Sequence, residues 1–227
     1  SMVDTSDEWI TSRSGIKRRH FAAEDEFTSD LAVEAANRAV RNAGIDSKGI
    51  DIIIVGTTTP DDTFPATAVR VQRALGISTG AAFDIQAACS GFIFALSIAD
   101  SMIRSGQAST ALVIGADTLS KLLDWEDRST CVLFGDGAGA VVLKGCENRG
   151  NTMVSGILSS HLHTDGNLRD LLYCDNNLGS SERRRTIVME GKEVFRHAVN
   201  NLSAVVKEAL EANGLEASHI DWLVPHQ

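Results

Sequence analysis

The chain has 227 residues, of which 43% are apolar and 22% are charged, a composition typical of a globular protein. The formal net charge of −9 argues against a general nucleic-acid binder and against binding to anionic membranes, so an acidic partner would need a local basic patch. No apolar run is long enough to predict a membrane span.

The first predicted helix begins close to the N-terminus, where Thr5 or Ser6 is expected to cap it. Trp9 and Arg13 are four residues apart and therefore share one face of this helix. An indole beside a guanidinium suits a ligand that combines a flat ring with phosphate, and a simple surface cation–π pair is the alternative.

Helical and strand patterns then alternate along the chain, which predicts an α/β fold. Several strand runs are almost continuously apolar, as in parallel strands that are covered on both faces. The predicted helices are residues 28–44, 65–76, 92–106 and 192–213. The predicted strands are residues 50–55, 81–86, 110–115, 140–143, 152–158, 186–189 and 220–224.

A cysteine lies where a predicted buried strand turns into a helix, in the stretch Ala87–Phe92. The helix after it is apolar on nearly every face, so we expect it to be fully buried. Helix N-termini carry partial positive charge and free N–H groups, which lower the pKa of a thiol and favour the thiolate. Cys89 is therefore a candidate nucleophile, and a small packed thiol in the core is the alternative.

The cysteines are widely spaced and form no C-x-x-C pair; they are Cys89, Cys131, Cys146 and Cys174. This spacing fits the reduced thiols of a cytoplasmic protein better than a disulfide framework or a zinc site. We therefore predict neither disulfides nor a metal.

Two motifs look like ligand sites but are better explained as structure. Residues 134–140 are rich in glycine, yet a phosphate-binding loop precedes a helix, whereas residues 140–143 predict a strand. We therefore expect a tight turn or close backbone packing there. His161 and His163 lie on one side of an extended segment, but no third ligand is near them in sequence, so they are weak metal candidates.

The segment 35–57 overlays the segment 205–227 without a gap, and both predict a helix, a glycine, a short acidic turn and an apolar strand. Gly44 meets Gly214, and Ile50 meets Ile220. If the chain holds two copies of one α/β unit, the second copy is unfinished and the first lacks an opening strand. Uncovered strand edges and apolar faces then predict that this chain by itself aggregates or folds poorly.

Five spaced motifs resemble one family, and they are Val3–Ile10, Ala87–Phe92, Phe134–Gly139, His161–Gly166 and Trp222–Gln227. They are similar to β-ketoacyl-[acyl carrier protein] synthase III, the condensing enzyme that starts type II fatty acid synthesis. The resemblance implies a thiolase-like fold of two duplicated α/β halves in a layered αβαβα arrangement, incomplete at both ends. Residues 1–145 would be the first half and residues 146–227 the start of the second. A cytoplasmic homodimer is implied as well.

The resemblance also implies the reaction. Cys89 would accept an acyl group, acetyl being the expected one, from acyl-CoA, and its backbone N–H would form half of an oxyanion hole. Malonyl-[acyl carrier protein] would then lose CO2, and the resulting carbanion would attack the acyl-Cys89 thioester. His226 would stabilise the charge that decarboxylation leaves on the thioester oxygen. No cofactor is implied, since acyl-CoA enters as a substrate.

Further residues receive roles from the same resemblance. Trp9 and Arg128 would sandwich the CoA adenine, and Thr5 and Arg13 would contact the nucleotide end. The pantetheine tunnel would be lined by Met189, Gly191, Val194 and Phe195. The acyl pocket would be bounded by Phe64 and Phe134, with Phe64 reaching into the partner subunit. The acidic carrier protein would dock on Lys192 and Arg196.

One departure from the family pattern and two alternatives complete the expectations. The family's third catalytic residue, an asparagine, and its glycine-rich final strand would lie after Gln227, so the chain is expected to be deficient in condensation while Cys89 can still be acylated. A related thiolase-fold enzyme of secondary metabolism or hydroxymethylglutaryl-CoA synthesis would differ in its second substrate. A non-catalytic fragment would leave Cys89 unlabelled by acetyl-CoA.

Overall fold

The computed structural model describes residues 3–146, 156–175 and 186–226. The chain forms two compact units, which we call the sheet unit, residues 20–118 and 136–157, and the α5 unit, residues 1–19, 119–135 and 158–227. The division into a first half at residues 1–145 and a second half at residues 146–227 stays a prediction.

The sheet unit is built on four strands: β1 (Ile52–Gly56), β2 (Ala81–Ile85), β3 (Thr110–Thr118) and β4 (Asp136–Lys144). Their order is β2-β1-β3-β4, with β1 parallel to both β2 and β3, and β4 antiparallel to β3. Every residue of β1 is buried, as predicted for a parallel strand with neighbours on both sides. The prediction that β2 is buried is wrong, because β2 is an edge strand and is only partly covered.

Helices cover both faces of this sheet and give it three layers. Helices α2 (Thr28–Ala43) and α3 (Thr67–Ala74) pack on one face, and α4 (Gly91–Arg104) packs on the other. Alternate residues of β1 divide between the faces, Ile53 and Val55 towards α2 and α3, and Ile52 and Ile54 towards α4. The α/β prediction is confirmed for this unit.

Helix α4 is not fully buried, so that prediction is wrong. Its buried residues are Gly91, Ala95 and Ala99, which lie against the sheet. Ile93 is 48% exposed. The sheet of this unit covers one side of the helix only, and small side chains occupy that side. The predicted C-terminal stop is confirmed, because Gly106 has φ +75° and its N–H bonds to the Ile103 carbonyl.

The glycine-rich stretch before residue 140 is part of a strand and not a turn. Strand β4 begins at Asp136, and Gly137 and Gly139 pair with Asp117 and Gly115 of β3. A Cβ atom at either glycine of β4 would meet no atom within 4 Å, so the expected close packing is also wrong there. The predicted strand at residues 140–143 is confirmed, since these residues lie within β4.

The α5 unit contains α1 (Asp7–Ser14), a two-stranded antiparallel pair of β5 (Leu172–Tyr173) and β6 (Val188–Met189), and α5 (Gly191–Ala212). Ser6 caps α1 as predicted, since its Oγ accepts the Trp9 N–H at 3.1 Å. The predicted strand 186–189 is confirmed but shorter. Residues 152–155 of the predicted strand 152–158 lie outside the described residues, and residues 156–158 are not in a strand.

The internal repeat is confirmed, because its two copies have the same backbone conformation from the end of the helix to the first residue after the 3₁₀ turn that follows it. Gly44 is the C-cap residue of α2, and Gly214 follows Asn213, the C-cap residue of α5; the two glycines have φ +64° and +62°. Equivalent 3₁₀ turns follow at Ser47–Gly49 and Ala217–His219. The copies then diverge, because β1 pairs with β2 and β3, whereas the predicted strand 220–224 forms no strand. Its side chains are exposed, with Trp222 at 84%.

Candidate active site and nucleotide site

Cys89 lies in the turn that joins β2 to α4. Residues Ala88–Ser90 form one 3₁₀ turn, and α4 begins at the next residue, Gly91. Ala88 adopts φ +45°, a left-handed conformation that costs most residues about 1–3 kcal/mol and that concentrates at functional sites. The predicted position of Cys89, between a strand and a helix N-terminus, is confirmed.

Two glycines that the sequence analysis did not single out let α4 approach the sheet. A Cβ atom at Gly56 would lie 2.5 Å from the carbonyl carbon of Gly91, which is backbone and cannot move aside cheaply. A Cβ atom at Gly115 would lie 3.1 Å from Cβ of Phe92, in the first turn of α4. The N-terminus of α4, directly after the turn that carries Cys89, is therefore held close to β1 and β3.

The electrostatic environment of Cys89 differs from the expectation. Cys89 is exposed as a whole residue, yet the protein around its sulfur penalises the thiolate, and the carboxylate of Asp117 does so as well. These two causes raise the pKa of the Cys89 thiol above its ordinary value, while its own backbone N–H acts in the opposite direction. The predicted lowering of the pKa is wrong, because desolvation and the Asp117 carboxylate outweigh the backbone N–H of Cys89.

The α5 unit brings together three of the residues expected at the nucleotide end of CoA. The guanidinium carbon of Arg13 lies 4.9 Å from the centre of the Trp9 ring, and that of Arg128 lies 5.2 Å from it. Arg128 also donates to the Asp4 carbonyl at 2.9 Å. The Asp127 carboxylate fixes this turn, because it accepts from Ser129 Oγ at 2.6 Å, from the Ser129 N–H at 2.9 Å and from Thr130 Oγ1 at 3.0 Å.

Thr5 lies beside this cluster in sequence and contains a buried hydroxyl. Its Oγ1 has no hydrogen-bond partner among the described residues. A buried hydroxyl without a partner is unfavourable, so a ligand atom that bonds to it would be stabilised. This feature fits the expected contact between Thr5 and a nucleotide.

The expected pantetheine and carrier-protein residues lie around the start of α5. A Cβ atom at Gly191 would lie 3.5 Å from Cε of Met189, and Phe195 is 71% exposed one helical turn further on. Arg196 bonds to Glu193 at 2.6 Å, so its charge is already paired within the helix. Of the remaining two residues of these sets, Val194 is partly buried and Lys192 is exposed.

The other expected site residues are divided between the two units. Phe64 is 82% exposed in the sheet unit, whereas Phe134 is partly buried in the α5 unit, where its carbonyl accepts from Arg19 at 3.2 Å. Cys89 belongs to the sheet unit, and His226 is an exposed residue of the α5 unit. The pairing of these residues across the units stays a prediction.

His161 and His163 hold one carboxylate between them. His161 Nδ1 lies 3.0 Å from one oxygen of Glu208, and His163 Nε2 lies 2.6 Å from the other. Within residues 3–146, 156–175 and 186–226, no group of three or more His, Cys, Asp or Glu side chains is arranged to hold a metal ion. The two histidines therefore join the segment before residue 164 to α5.

This contact predicts a loss of local order in acid. Hydrogen bonds from His163 and His161 lower the pKa of Glu208. The contribution of Glu208 to stability is therefore fully present above its unfolded pKa of about 4.3, and it is lost as the pH falls through its lower pKa in the folded chain. We expect E208Q to increase amide hydrogen exchange in residues 158–163 at neutral pH. E211Q, which removes the partner of Lys207 on the same helix, is the matched control and should leave that exchange unchanged.

Similar proteins share one description. A family model described as 3-Oxoacyl-[acyl-carrier-protein (ACP)] synthase III matches residues 83–166. A curated relative from Paramagnetospirillum magneticum, beta-ketoacyl-[acyl-carrier-protein] synthase III, is 61% identical over 227 residues, and the match covers 100% of this chain and 70% of the relative. A relative of the same name from Rhodospirillum centenum is 59% identical over 226 residues, again covering 100% of this chain and 70% of the relative.

The structural comparison agrees with the sequence comparison. The crystal structure of 3-oxoacyl-[acyl-carrier-protein] synthase III from Aquifex aeolicus VF5 has a TM-score of 0.86 and 49% identity, covering 95% of this chain and 66% of that chain. This chain thus spans about 70% of the length of the curated relatives and just under two thirds of the solved chain.

Proposed function

We propose the function of this chain from one premise: it belongs to the 3-oxoacyl-[acyl-carrier-protein] synthase III family, whose fold is thiolase-like. The proposed reaction moves an acyl group from acyl-CoA to Cys89 and then joins it to malonyl-[acyl carrier protein] with loss of CO2. The product is a 3-oxoacyl-[acyl carrier protein], the first condensation product of type II fatty acid synthesis. The names of the relatives support this reaction over that of hydroxymethylglutaryl-CoA synthesis or of a condensing enzyme in secondary metabolism.

The observation that carries the proposal is the position of Cys89 in the turn between β2 and α4. The Cys89 sulfur attacks the thioester carbonyl of acyl-CoA, and the carbonyl bond to the CoA sulfur breaks. The proton of Cys89 passes to the departing sulfur, which leaves as the free thiol of CoA. The backbone N–H of Cys89 donates to the carbonyl oxygen as negative charge develops there.

In the second half-reaction His226 is the proposed stabilising group. Malonyl-[acyl carrier protein] loses CO2, and the electron pair of the broken C–C bond is left on the carrier-bound thioester as an enolate. The enolate oxygen accepts a hydrogen bond from the imidazole N–H of His226. The enolate carbon attacks the acyl carbonyl, and the bond to the Cys89 sulfur breaks. The sulfur regains a proton and the cysteine is ready for another turnover. The acidic carrier protein docks on Lys192, and on Arg196 once the Arg196 guanidinium releases Glu193.

The remaining site residues and the assembly complete the proposal. Met189, Gly191, Val194 and Phe195 line the path of pantetheine, and Phe64 and Phe134 bound the acyl pocket. Acyl-CoA is a substrate, and no cofactor is proposed. We also propose a cytoplasmic homodimer. Among the described helices, none is long and apolar enough to cross a membrane.

The stack at Trp9 gives a binding prediction. The Arg128 guanidinium lies over the Trp9 indole, so it must move away before an adenine can enter between the two groups. Stacking on an aromatic side chain contributes about 1–3 kcal/mol per base, so we expect W9A to weaken CoA binding about fivefold to 150-fold, measured by calorimetry. R128A removes the second face of the sandwich and should weaken binding in the same direction.

The matched control is a second cation–π pair of the α5 unit. Arg169 lies over the ring of Tyr173 at 4.3 Å but is not assigned to the nucleotide. We expect Y173A to bind CoA as tightly as the unchanged chain. Equal weakening by W9A and Y173A, with both variants folded by circular dichroism, would contradict the assigned nucleotide site, because the loss of binding would not be specific to Trp9.

The proposed function is tested by a two-stage assay. In the first stage the chain is incubated with acetyl-CoA, and we expect one acetyl group per chain by intact-protein mass spectrometry. In the second stage malonyl-[acyl carrier protein] is added to a version of the chain extended to the full length of its relatives, because the chain as given is expected to be deficient in condensation. We expect 3-oxobutyryl-[acyl carrier protein] to form while the extended protein loses its acetyl group. No acetylation at the first stage would contradict acyl transfer, and hydrolysis to acetate without carrier-bound product would contradict condensation.

A further inference from the structure

We propose that Asp117 is a positioning residue for the Cys89 site: its carboxylate fixes the loop that leaves β1 and presents a negative charge to the first turn of α4. This inference rests on the proposed role of Cys89 as the nucleophile. The resemblance assigns Asp117 no role.

The first support is the number of hydrogen bonds that one oxygen of Asp117 accepts. Three consecutive threonines follow β1, and all three donate to Oδ1. The donors are Thr57 Oγ1 at 3.1 Å, the Thr58 N–H at 2.7 Å, Thr58 Oγ1 at 2.9 Å and Thr59 Oγ1 at 3.2 Å. A carboxylate that accepts several donors is favoured in its ionised form and fixes the groups that donate to it.

The second support is the face of the sheet on which Asp117 lies. Side chains alternate along β3, and Val113 packs in the cluster that contains α4. Gly115 is two residues further on and meets Phe92 of the first turn of α4. Asp117 is the next residue on that face, at the end of the strand. Its neighbour Thr118 lies on the opposite face, where its hydroxyl is 2.9 Å from that of Thr28 in α2.

The third support is the packing of the neighbouring strand. Gly56 is the last residue of β1 and lies against Gly91, the first residue of α4. The three threonines that bond to Asp117 begin directly after Gly56. The loop fixed by Asp117 therefore leaves the sheet beside the turn that carries Cys89.

The other carboxylates around this part of the sheet have different partners. Asp84 of β2 accepts from two backbone N–H groups at the start of α3, and Asp136 of β4 accepts from the backbone N–H of Ala22. Among the described charged side chains of the sheet unit, Asp117 is the one whose field raises the pKa of the Cys89 thiol, in addition to desolvation. The resting form of the cysteine is therefore the thiol.

This arrangement has a chemical advantage for a thioester-forming cysteine. A thiolate with a higher pKa is the stronger nucleophile once its proton has been removed. A cysteine that rests as a thiol is also oxidised less readily than a permanent thiolate. Asp117 thus lowers the fraction of Cys89 that is thiolate, while it makes that thiolate more nucleophilic and protects the resting thiol from oxidation.

The test measures the pH dependence of Cys89 alkylation by iodoacetamide, which needs neither acyl-CoA nor carrier protein. D117N keeps an oxygen acceptor for the threonines and removes the charge, so we expect the midpoint of the profile to move to lower pH. We expect the alkylation rate below the midpoint to rise a few-fold, because the larger thiolate fraction outweighs the lower nucleophilicity of the thiolate. Peptide mass spectrometry reads Cys89 separately, with Cys146 in the same digest as the reference.

Two controls separate charge from structure. D117E keeps the charge and should keep the midpoint of the unchanged chain. D84N removes a carboxylate from β2, on the other side of β1, and should not move the midpoint. If D117N fails to fold by circular dichroism, D117S provides a second neutral variant with a hydroxyl acceptor. An unmoved midpoint in the folded neutral variant, or an equal shift in D84N, would overturn the proposal.

The failure of this inference is distinguishable from the failure of the proposed function. If D117N shifts the alkylation midpoint while the unchanged chain takes no acetyl group from acetyl-CoA, the role of Asp117 at Cys89 stands and the assigned reaction is wrong. If the unchanged chain is acetylated and the midpoint does not move, the reaction stands and Asp117 has no such role.

Discussion

Acetyl transfer from acetyl-CoA falls by about 10⁴-fold or more in C89A, to the limit of detection, because the variant has lost the atom that forms the thioester. The measurement is the initial rate of acetylation of the chain, followed by intact-protein mass spectrometry. C89S keeps a similar shape but offers a hydroxyl, a far weaker nucleophile at neutral pH, and should be almost as inactive.

The matched controls are the other exposed cysteines. Cys146 and Cys174 are free and exposed, so C146A and C174A should be acetylated at the rate of the unchanged chain. CoA binding by C89A should also be unchanged, since the nucleotide residues lie in the α5 unit. Residual acetylation of C89A at the normal rate would show that another residue accepts the acyl group.

The second large effect is expected at Gly56. The Cβ atom of G56A would lie 2.5–2.9 Å from backbone atoms of Gly91 and Phe92, so β1 and α4 must move apart. Overpacking of this kind costs about 1–3 kcal/mol and occasionally more, and backbone atoms on both sides put G56A at the upper end. We expect the free energy of unfolding in urea to fall by about 3 kcal/mol. Acetylation of Cys89 should slow as well, since the displaced residues begin its helix.

A glycine of the same sheet provides the control for G56A. Gly139 lies in β4, and a Cβ atom there would meet nothing within 4 Å. We expect G139A to leave both the free energy of unfolding and the rate of acetylation unchanged within error. Equal losses in the two variants would mean that the strand conformation, and not contact with Gly91, explains the effect of G56A.

Much of the architecture follows from local patterns in the sequence. The continuous apolar run before Gly56 identifies β1, and the run of alternating elements identifies the α/β class. The helix end, glycine and turn at residues 44–49 recur at residues 214–219, and the two copies have the same conformation. Such features depend on φ preferences, capping and hydrophobic burial within a short segment, and so one sequence is enough to predict them.

The failures concern features that depend on neighbours distant in sequence. Residues 220–224 have a strand pattern, but a strand needs a partner for its backbone groups, and the described residues pair none with them. The glycines of β4 suggested a turn because pairing with β3 is not visible in the local sequence. Helix α4 is less buried than predicted, because an apolar sequence pattern does not indicate how many faces of a helix are covered by a sheet.

The chemistry of Cys89 was predicted in part for the same reason. Its place at a helix N-terminus was visible in the sequence, but the direction of its pKa shift depends on desolvation and on Asp117, which is 28 positions further along the chain. The threonines that hold Asp117 resemble an ordinary polar loop in the sequence. Only the pairing of β1 with β3 brings the two together.

Peptide mapping of the unchanged chain after brief incubation with acetyl-CoA tests the central claim most directly. We predict a single acetylated peptide that contains Cys89, with the acetyl group released by hydroxylamine, as expected of a thioester. An acetyl group on a lysine, on Cys146 or on Cys174, or no acetyl group at Cys89, would contradict the account.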